Sequence, residues 1–187
     1  EAGIAVVENV CKAEAEALNT GFFSNVARKR PHVAIKIASS LDGKITDPRS
    51  QWLTSEASRA YGHVLRSEYD LILTGIETVL ADDPLLTCRV AGLEERSPVR
   101  LVLDRKNRLP AKSKLVQTRG AVPLWVENDT TDLPALLHRL CKRGVTRVLV
   151  EAGGTLNNAF LKQNLVDKVY WFRAPFLVGA QGMPAMD

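Results

Sequence analysis

Metal-ligand spacing is the first thing missing from this sequence. Its three cysteines, Cys11, Cys88 and Cys141, are far apart and odd in number, no CxxC occurs, and His32, His63 and His138 are equally scattered. That pattern argues against a structural zinc site and a disulfide framework, and leaves the cysteines as reduced, partly buried side chains. Long apolar runs are also missing, since none approaches the roughly 20 residues of a membrane-spanning helix. The opening "EAGIAVVENVCKAEAEALNTGFF" has no basic leader ahead of an apolar core and so does not read as a signal peptide. Aromatic residues make up only 6% of the chain, and its basic residues alternate with acids. The net charge of +4 therefore suits an anionic small ligand better than a nucleic-acid surface. No GxGxxG fingerprint is present, for the first apolar run ends in "SSLDG". Internal repeats and low-complexity segments are absent too. These exclusions leave a soluble, cytoplasmic protein with neither a nucleic-acid nor a membrane partner. Lacking an initiator Met, the chain is expected to be processed or cut from something longer.

What the sequence does contain is alternation of strand and helix. "HVAIKIASS" (32–40), "DLILTG" (70–75), "VRLVLD" (99–104), "VPLWVE" (122–127), "TRVLVEAGG" (146–154) and "KVYWFRAPFLVG" (168–179) read as strands. Between them "TSEASRAYGHVLRSEY" (54–69) has helical spacing, with Thr54 or Ser55 as N-cap. "TDLPALLHRLCKRG" (131–144) is amphipathic, with Pro134 in its first turn and Gly144 past its end, and "TLNNAFLKQNL" (155–165) is a further helix. This rhythm predicts an α/β domain with a mostly parallel central sheet. The first thirty residues fit it poorly. They read as a helix followed by a connector, the tail of a preceding domain plus a linker, with the second domain spanning 31–187.

Two segments, "LILTGIETVLADD" and "VLVEAGGTLNNAF", run from an apolar strand through Gly into a helix start. Such turns aim backbone N–H groups and a helix N-terminus at one place, which suits a phosphate or pyrophosphate. Each also has a purely architectural reading: a capping box formed by Thr74 and Glu77, and a tight turn at Gly153 and Gly154. Two charges sit in apolar strands, Lys36 and Glu151, where burial is costly without a partner. They either pair with each other or capture substrate, with proton delivery as an added role.

Five segments, "VAIKIASSLDGKI", "SQWLTSEASRAYGHVLRSEYD", "ILTGIETVLADDPLLTCR", "PVRLVLDRKNRLPAKSKL" and "VLVEAGGTLNNAFLKQNLVDKVYWFRAP", fall in the order seen in the reductase domain of bacterial riboflavin-biosynthesis deaminase/reductases. The resemblance covers roughly residues 31 to 187. It implies a dihydrofolate-reductase-like fold, a twisted, mostly parallel mixed sheet flanked by helices. It also implies NADPH as cofactor, 5-amino-6-(5-phosphoribosylamino)uracil as substrate and hydride delivery to C1′ of the ring-opened ribose. The leading "GIAVVENVCKAEAEALNTGFF" resembles the last strand and helix of the family's deaminase domain, whose zinc motifs are absent here. The chain also stops before the last strands expected for the fold. A homodimer, normally fused to the deaminase domain, is expected.

Carried over position by position, the resemblance implies cofactor contacts at Ala38, Trp52, Thr78, Asp82 and Arg105, followed by Gly153, Gly154, Thr155, Leu156, Asn157, Asn158 and Ala159. It implies substrate contacts at Ser50, Arg66, Leu86, Arg89 and Glu151, and a catalytic role for Lys36 and Glu151. Two alternatives come from other classes. One is a non-catalytic binding or dimerisation module, which the intact set Thr78, Asp82, Arg89 and Glu151 disfavours. The other is a dihydrofolate reductase or another reductase of this fold, whose pterin needs a buried acid where the chain offers only Asp47 in a loop.

Overall fold

The computed structural model describes residues 2–129 and 131–186; Glu1, Thr130 and Asp187 lie outside the described residues. Six strands, β1 (His32–Ser39), β2 (Leu71–Gly75), β3 (Val99–Leu103), β4 (Leu124–Glu127), β5 (Arg147–Val150) and β6 (Lys168–Arg173), form one sheet in the order β4-β3-β2-β5-β1-β6. All their pairings are parallel, so the α/β class expected from the alternation holds. Antiparallel contacts among the described residues are the isolated bridges Lys44–Pro184 and Asp47–Ser50.

Parallel strands need crossovers, and here these are helical. Three, α3 (Glu56–Ser67), α4 (Ile76–Asp82) and α5 (Lys114–Gln117), pack on one sheet face; α6 (Leu133–Lys142) and α7 (Gly154–Lys162) cover the other. Strand alternation explains the division. Val33, Ile35 and Ile37 of β1, with Leu71, Leu73, Leu101, Leu103, Val148 and Val150, meet Leu133, Leu136, Leu137, Leu140 and Phe160 of α6 and α7. Full burial of one such side chain stabilises by about 1.5–3 kcal/mol. The α6 start is set by Asp132, whose carboxylate accepts from Ala135 N–H at 2.8 Å, with Pro134 in the first turn. Ser55 caps α3, accepting from Ser58 N–H.

Two expectations need correction. The last strand ends at Arg173 rather than at residue 179, because Pro175 has no N–H to continue a ladder. The segment beyond it folds back over the β1–α3 loop instead. Leu41 N–H donates to Phe176 C=O, Ile45 N–H to Met183 C=O, and Val178 and Gly179 N–H to the Asp42 carboxylate. The N-terminal segment likewise forms two short helices, α1 (Lys12–Leu18) and α2 (Thr20–Arg28), rather than one helix and a connector, and residues 2–8 form no strand. Helix α2 is fastened to the N-terminal edge of the sheet. Asn25 Nδ2 donates to Val145 C=O, Arg28 and Arg30 both pair with Asp167, and a Cβ on Gly21 would lie 2.9 Å from Thr146 Oγ1. No helix among the described residues is long and apolar enough to cross a membrane.

Candidate active site

Registers place one row of side chains across the sheet face that carries α3 and α4. Ile35 lies opposite Val150 and Leu73 opposite Val150. The next position therefore aligns Thr74 of β2, Glu151 at the end of β5 and Lys36 of β1, and Lys36 lies opposite Tyr170 of β6. On this face β1 reads Ala34, Lys36, Ala38, so small residues flank a charge. The row lies near the C-terminal strand ends, where parallel sheets gather ligands.

Glu151 is not paired with Lys36. Its partner is Arg66 of α3, bound through two hydrogen bonds, Nε to Oε1 at 2.8 Å and Nη2 to Oε2 at 2.9 Å, with only 15% and 12% of the two side chains exposed. Burial by itself raises a carboxyl pKa. Here the Arg66 charge and its hydrogen bonds outweigh burial, aided by Lys36 and, once it is protonated at low pH, by His63, and Glu151 is held down at about 2. It is an anion throughout the neutral range. Lys36, half-buried, lies 5.8 Å from the Phe172 ring centroid and has no carboxylate within ion-pair distance among the described residues. The remaining face of Arg66 donates from Nη1 to Thr87 C=O at 3.0 Å.

That carbonyl also receives a ring nitrogen of His63, Nδ1 at 3.0 Å, while His63 Nε2 lies 3.0 Å from Arg89 Nη2 and 3.2 Å from its Nε. A continuous chain thus runs from Glu151 through Arg66, Thr87 and His63 to the exposed Arg89. Leu86, just before it, is buried with φ 53°. A bulky side chain rarely accepts this conformation. Behind that loop Arg100 of β3 is fully buried and donates from Nη1 to Leu85 C=O and Thr118 Oγ1 and from Nη2 to Val122 C=O.

The other expected positions lie on the segments that follow the strands and differ in enclosure. Thr78 and Asp82 lie on α4, the first half-buried and the second exposed at its end; Arg105 is exposed just after β3. Trp52 is 55% exposed beneath the Arg59 guanidinium, and Ser50 Oγ donates to Trp52 C=O. Gly153 is the N-cap of α7, and Gly154 its first residue. A Cβ on Gly154 would lie 3.0 Å from Pro184 C=O and 3.2 Å from Ala185 C=O, so close packing already accounts for that glycine. Thr155 is exposed, Asn157 buried, and Leu156, Asn158 and Ala159 half-buried. The Thr74–Glu77 capping box does not form: Gly75 is the N-cap of α4, and Glu77 pairs with Arg108.

Three buried polar atoms have no hydrogen-bond partner among the described residues here: Thr74 Oγ1, Asp104 Oδ1 and Asn157 Oδ1. Such atoms are costly unless something completes them. From sequence Thr74 reads only as a capping residue, and neither Asp104 nor His63 stands out as a site residue. Thr74 is signalled by a hydroxyl inside an otherwise apolar strand, and Asp104 by a carboxylate ending "VRLVLD". His63 carries no local signal.

Residues 31–187 match the model of the RibD C-terminal domain, and the chain belongs to that family. Among curated relatives, the riboflavin biosynthesis protein RibD of Actinobacillus pleuropneumoniae is 36% identical over 97% of this chain and 55% of its own length. The 2,5-diamino-6-ribosylamino-4(3H)-pyrimidinone 5′-phosphate reductase of Archaeoglobus fulgidus is 32% identical over 84% of this chain and 86% of its own length. The crystal structure of a diaminohydroxyphosphoribosylaminopyrimidine deaminase/5-amino-6-(5-phosphoribosylamino)uracil reductase from Thermotoga maritima superposes with a TM-score of 0.87 at 33% identity, covering 98% of this chain and 55% of that one. The chain therefore spans about half the length of the RibD relatives it matches.

Proposed function

We propose that this chain is a riboflavin-biosynthesis pyrimidine reductase that uses NADPH to reduce C1′ of the ring-opened ribose of 5-amino-6-(5-phosphoribosylamino)uracil. The observation that carries this reading is the row Thr74–Glu151–Lys36 joined to the Arg66–His63–Arg89 chain, in a member of this family. A dinucleotide fits the adjacent edge, where the orphaned Thr74, Asp104 and Asn157 oxygens and the glycine-led starts of α4 and α7 meet. Ala38, Trp52, Thr78, Asp82, Arg105 and Gly153 through Ala159 would hold it there, and it supplies a hydride when bound.

The protein's part is positioning and charge. Glu151, an anion at neutral pH, accepts from the N–H edge of the pyrimidine and does not act as the proton donor. The ammonium of Lys36, with no carboxylate within ion-pair distance among the described residues, is the group able to hold or release a proton at Nζ as the ribose opens. Arg89 meets the phosphate, with Leu86 and Ser50 closing the substrate side. The segment before residue 31 is, on this reading, the end of a deaminase domain with its linker, and the working unit is a cytoplasmic homodimer.

The test is NADPH oxidation dependent on the phosphoribosylaminouracil. Arg89→Ala should raise the KM for that substrate about tenfold or more while leaving NADPH affinity within about twofold. A change confined to NADPH binding contradicts the placement of Arg89.

A further inference from the structure

We propose that His63 is a positioning residue for the substrate phosphate: a neutral imidazole that fixes Arg89 without cancelling its charge. The inference rests on the reading of Arg89 as the phosphate-binding group, and it begins with donor and acceptor bookkeeping. A carbonyl only accepts, so the contact of 3.0 Å to Thr87 C=O assigns the proton to Nδ1; Arg66 Nη1, 3.5 Å from that nitrogen, has the same carbonyl as its shorter acceptor at 3.0 Å. The other nitrogen, Nε2, then carries the lone pair and accepts from Arg89 Nε and Nη2. Arg89 has no carboxylate within ion-pair distance among the described residues. Its Nη1 hydrogens and the second Nη2 hydrogen remain for a ligand.

Few side chains can both donate to that carbonyl and accept from Arg89 while staying neutral. A carboxylate at position 63 would accept from Arg89 but neutralise it, and a lysine could not accept at all. Imidazole serves only in the Nδ1–H form, which Thr87 C=O selects. The surroundings favour that neutral form, because burial first, then the Arg66 and Arg89 charges, lower the His63 pKa; the Thr87 bond and Glu151 oppose them. Protonation would remove the acceptor and set a third cation between Arg66 and Arg89. Charges facing His63 come from Arg66 on its own helix, Glu151 at the end of β5 and Arg89 in the loop after α4. Glu94, Glu95 and Arg96 stand on the 3₁₀ turn packed against α3.

The experiment compares His63→Ala and His63→Gln in the full chain. His63→Ala should raise KM for the phosphoribosylaminouracil about tenfold with kcat changed less than about threefold. Gln, whose oxygen can accept from Arg89 and whose amide can donate to Thr87, should return KM to within about threefold of wild type. As pH falls below 6.5, KM should climb more steeply in the wild type than in His63→Gln, which shares the substrate's own titration but has no ring to protonate. Nitrogen-15 spectra of the wild type should show the Nδ1–H tautomer near neutral pH. An unchanged KM in His63→Ala, no rescue by Gln, or an Nε2–H tautomer overturns the proposal. If the wild type does not reduce this substrate, the functional reading fails. The His63 proposal is then judged by the tautomer and by ribose 5-phosphate binding, which His63→Ala should weaken and Gln restore; unchanged binding overturns it.

Discussion

Glu151 is held by a helix residue, not by its neighbour on the sheet, and this decides what its replacement does. Glu151→Gln keeps one oxygen to accept from Arg66 but leaves that guanidinium enclosed without a counter-charge. Loss of one member of a buried pair costs about 3–5 kcal/mol; with an acceptor retained, a loss of about 1–3 kcal/mol is expected. The sign with pH follows from a folded pKa of about 2 against an ordinary 4.5. Stabilisation by Glu151 is fully present above 4.5 and is lost as pH falls through about 2. Denaturant titrations of wild type and Glu151→Gln should therefore converge across that window, and a constant difference down to pH 2 contradicts the pairing. If Glu151 also meets the pyrimidine, turnover per folded molecule should collapse while NADPH still binds. Arg105 is a separate matter. It is exposed just past β3; if, as proposed, it meets the 2′-phosphate that distinguishes NADPH from NADH, Arg105→Ala should narrow the difference in their affinities by roughly 1–3 kcal/mol. Equal affinities in the unmutated protein would contradict that role.

Among the elements, the 83–89 loop is held from outside by Arg66, Ser97, Lys114 and Arg100. Arg100 spends its charge on three neutral acceptors, tying Leu85 to the Thr118 and Val122 backbone region and so supporting the unusual Leu86 conformation. Arg100→Ala should lower stability by about 3 kcal/mol through a cavity and orphaned carbonyls. It should also raise substrate KM more than NADPH KM; a purely global loss, with both constants unchanged in the folded fraction, would show that the loop holds itself. The strands were legible because their short apolar runs are bounded by turns, and the helices because α3 and α6 announce their caps. "APFLVG" misled because it is apolar enough for a strand, while Pro175 denies it a ladder. Lys36 and Glu151 could be recognised as buried charges needing partners. Sequence could not show that Arg66 would reach Glu151, since where α3 crosses the sheet is set by tertiary packing. His63 was invisible for the same reason: its meaning depends on a carbonyl twenty-four residues away.

At the scale of the molecule, the all-parallel sheet divides the labour. Its N-terminal edge is closed by α2 and the Arg28–Arg30–Asp167 cluster, whereas its C-terminal edge carries the charges and unsatisfied oxygens. The residues of that C-terminal edge all lie within 31–187, the span that matches the RibD C-terminal domain. The rival pterin reading predicts consumption of dihydrofolate, which the proposed reading does not. The central claim, hydride delivery to C1′ in a site built around that row, is tested most directly by isotope transfer. Incubated with phosphoribosylaminouracil and NADPH deuterated at the transferable C4 position, the protein should form the ribitylamino product with one deuterium at C1′, and dihydrofolate should remain unreduced. Deuterium in reduced folate, or a ribitylamino product without label at C1′, would contradict the account.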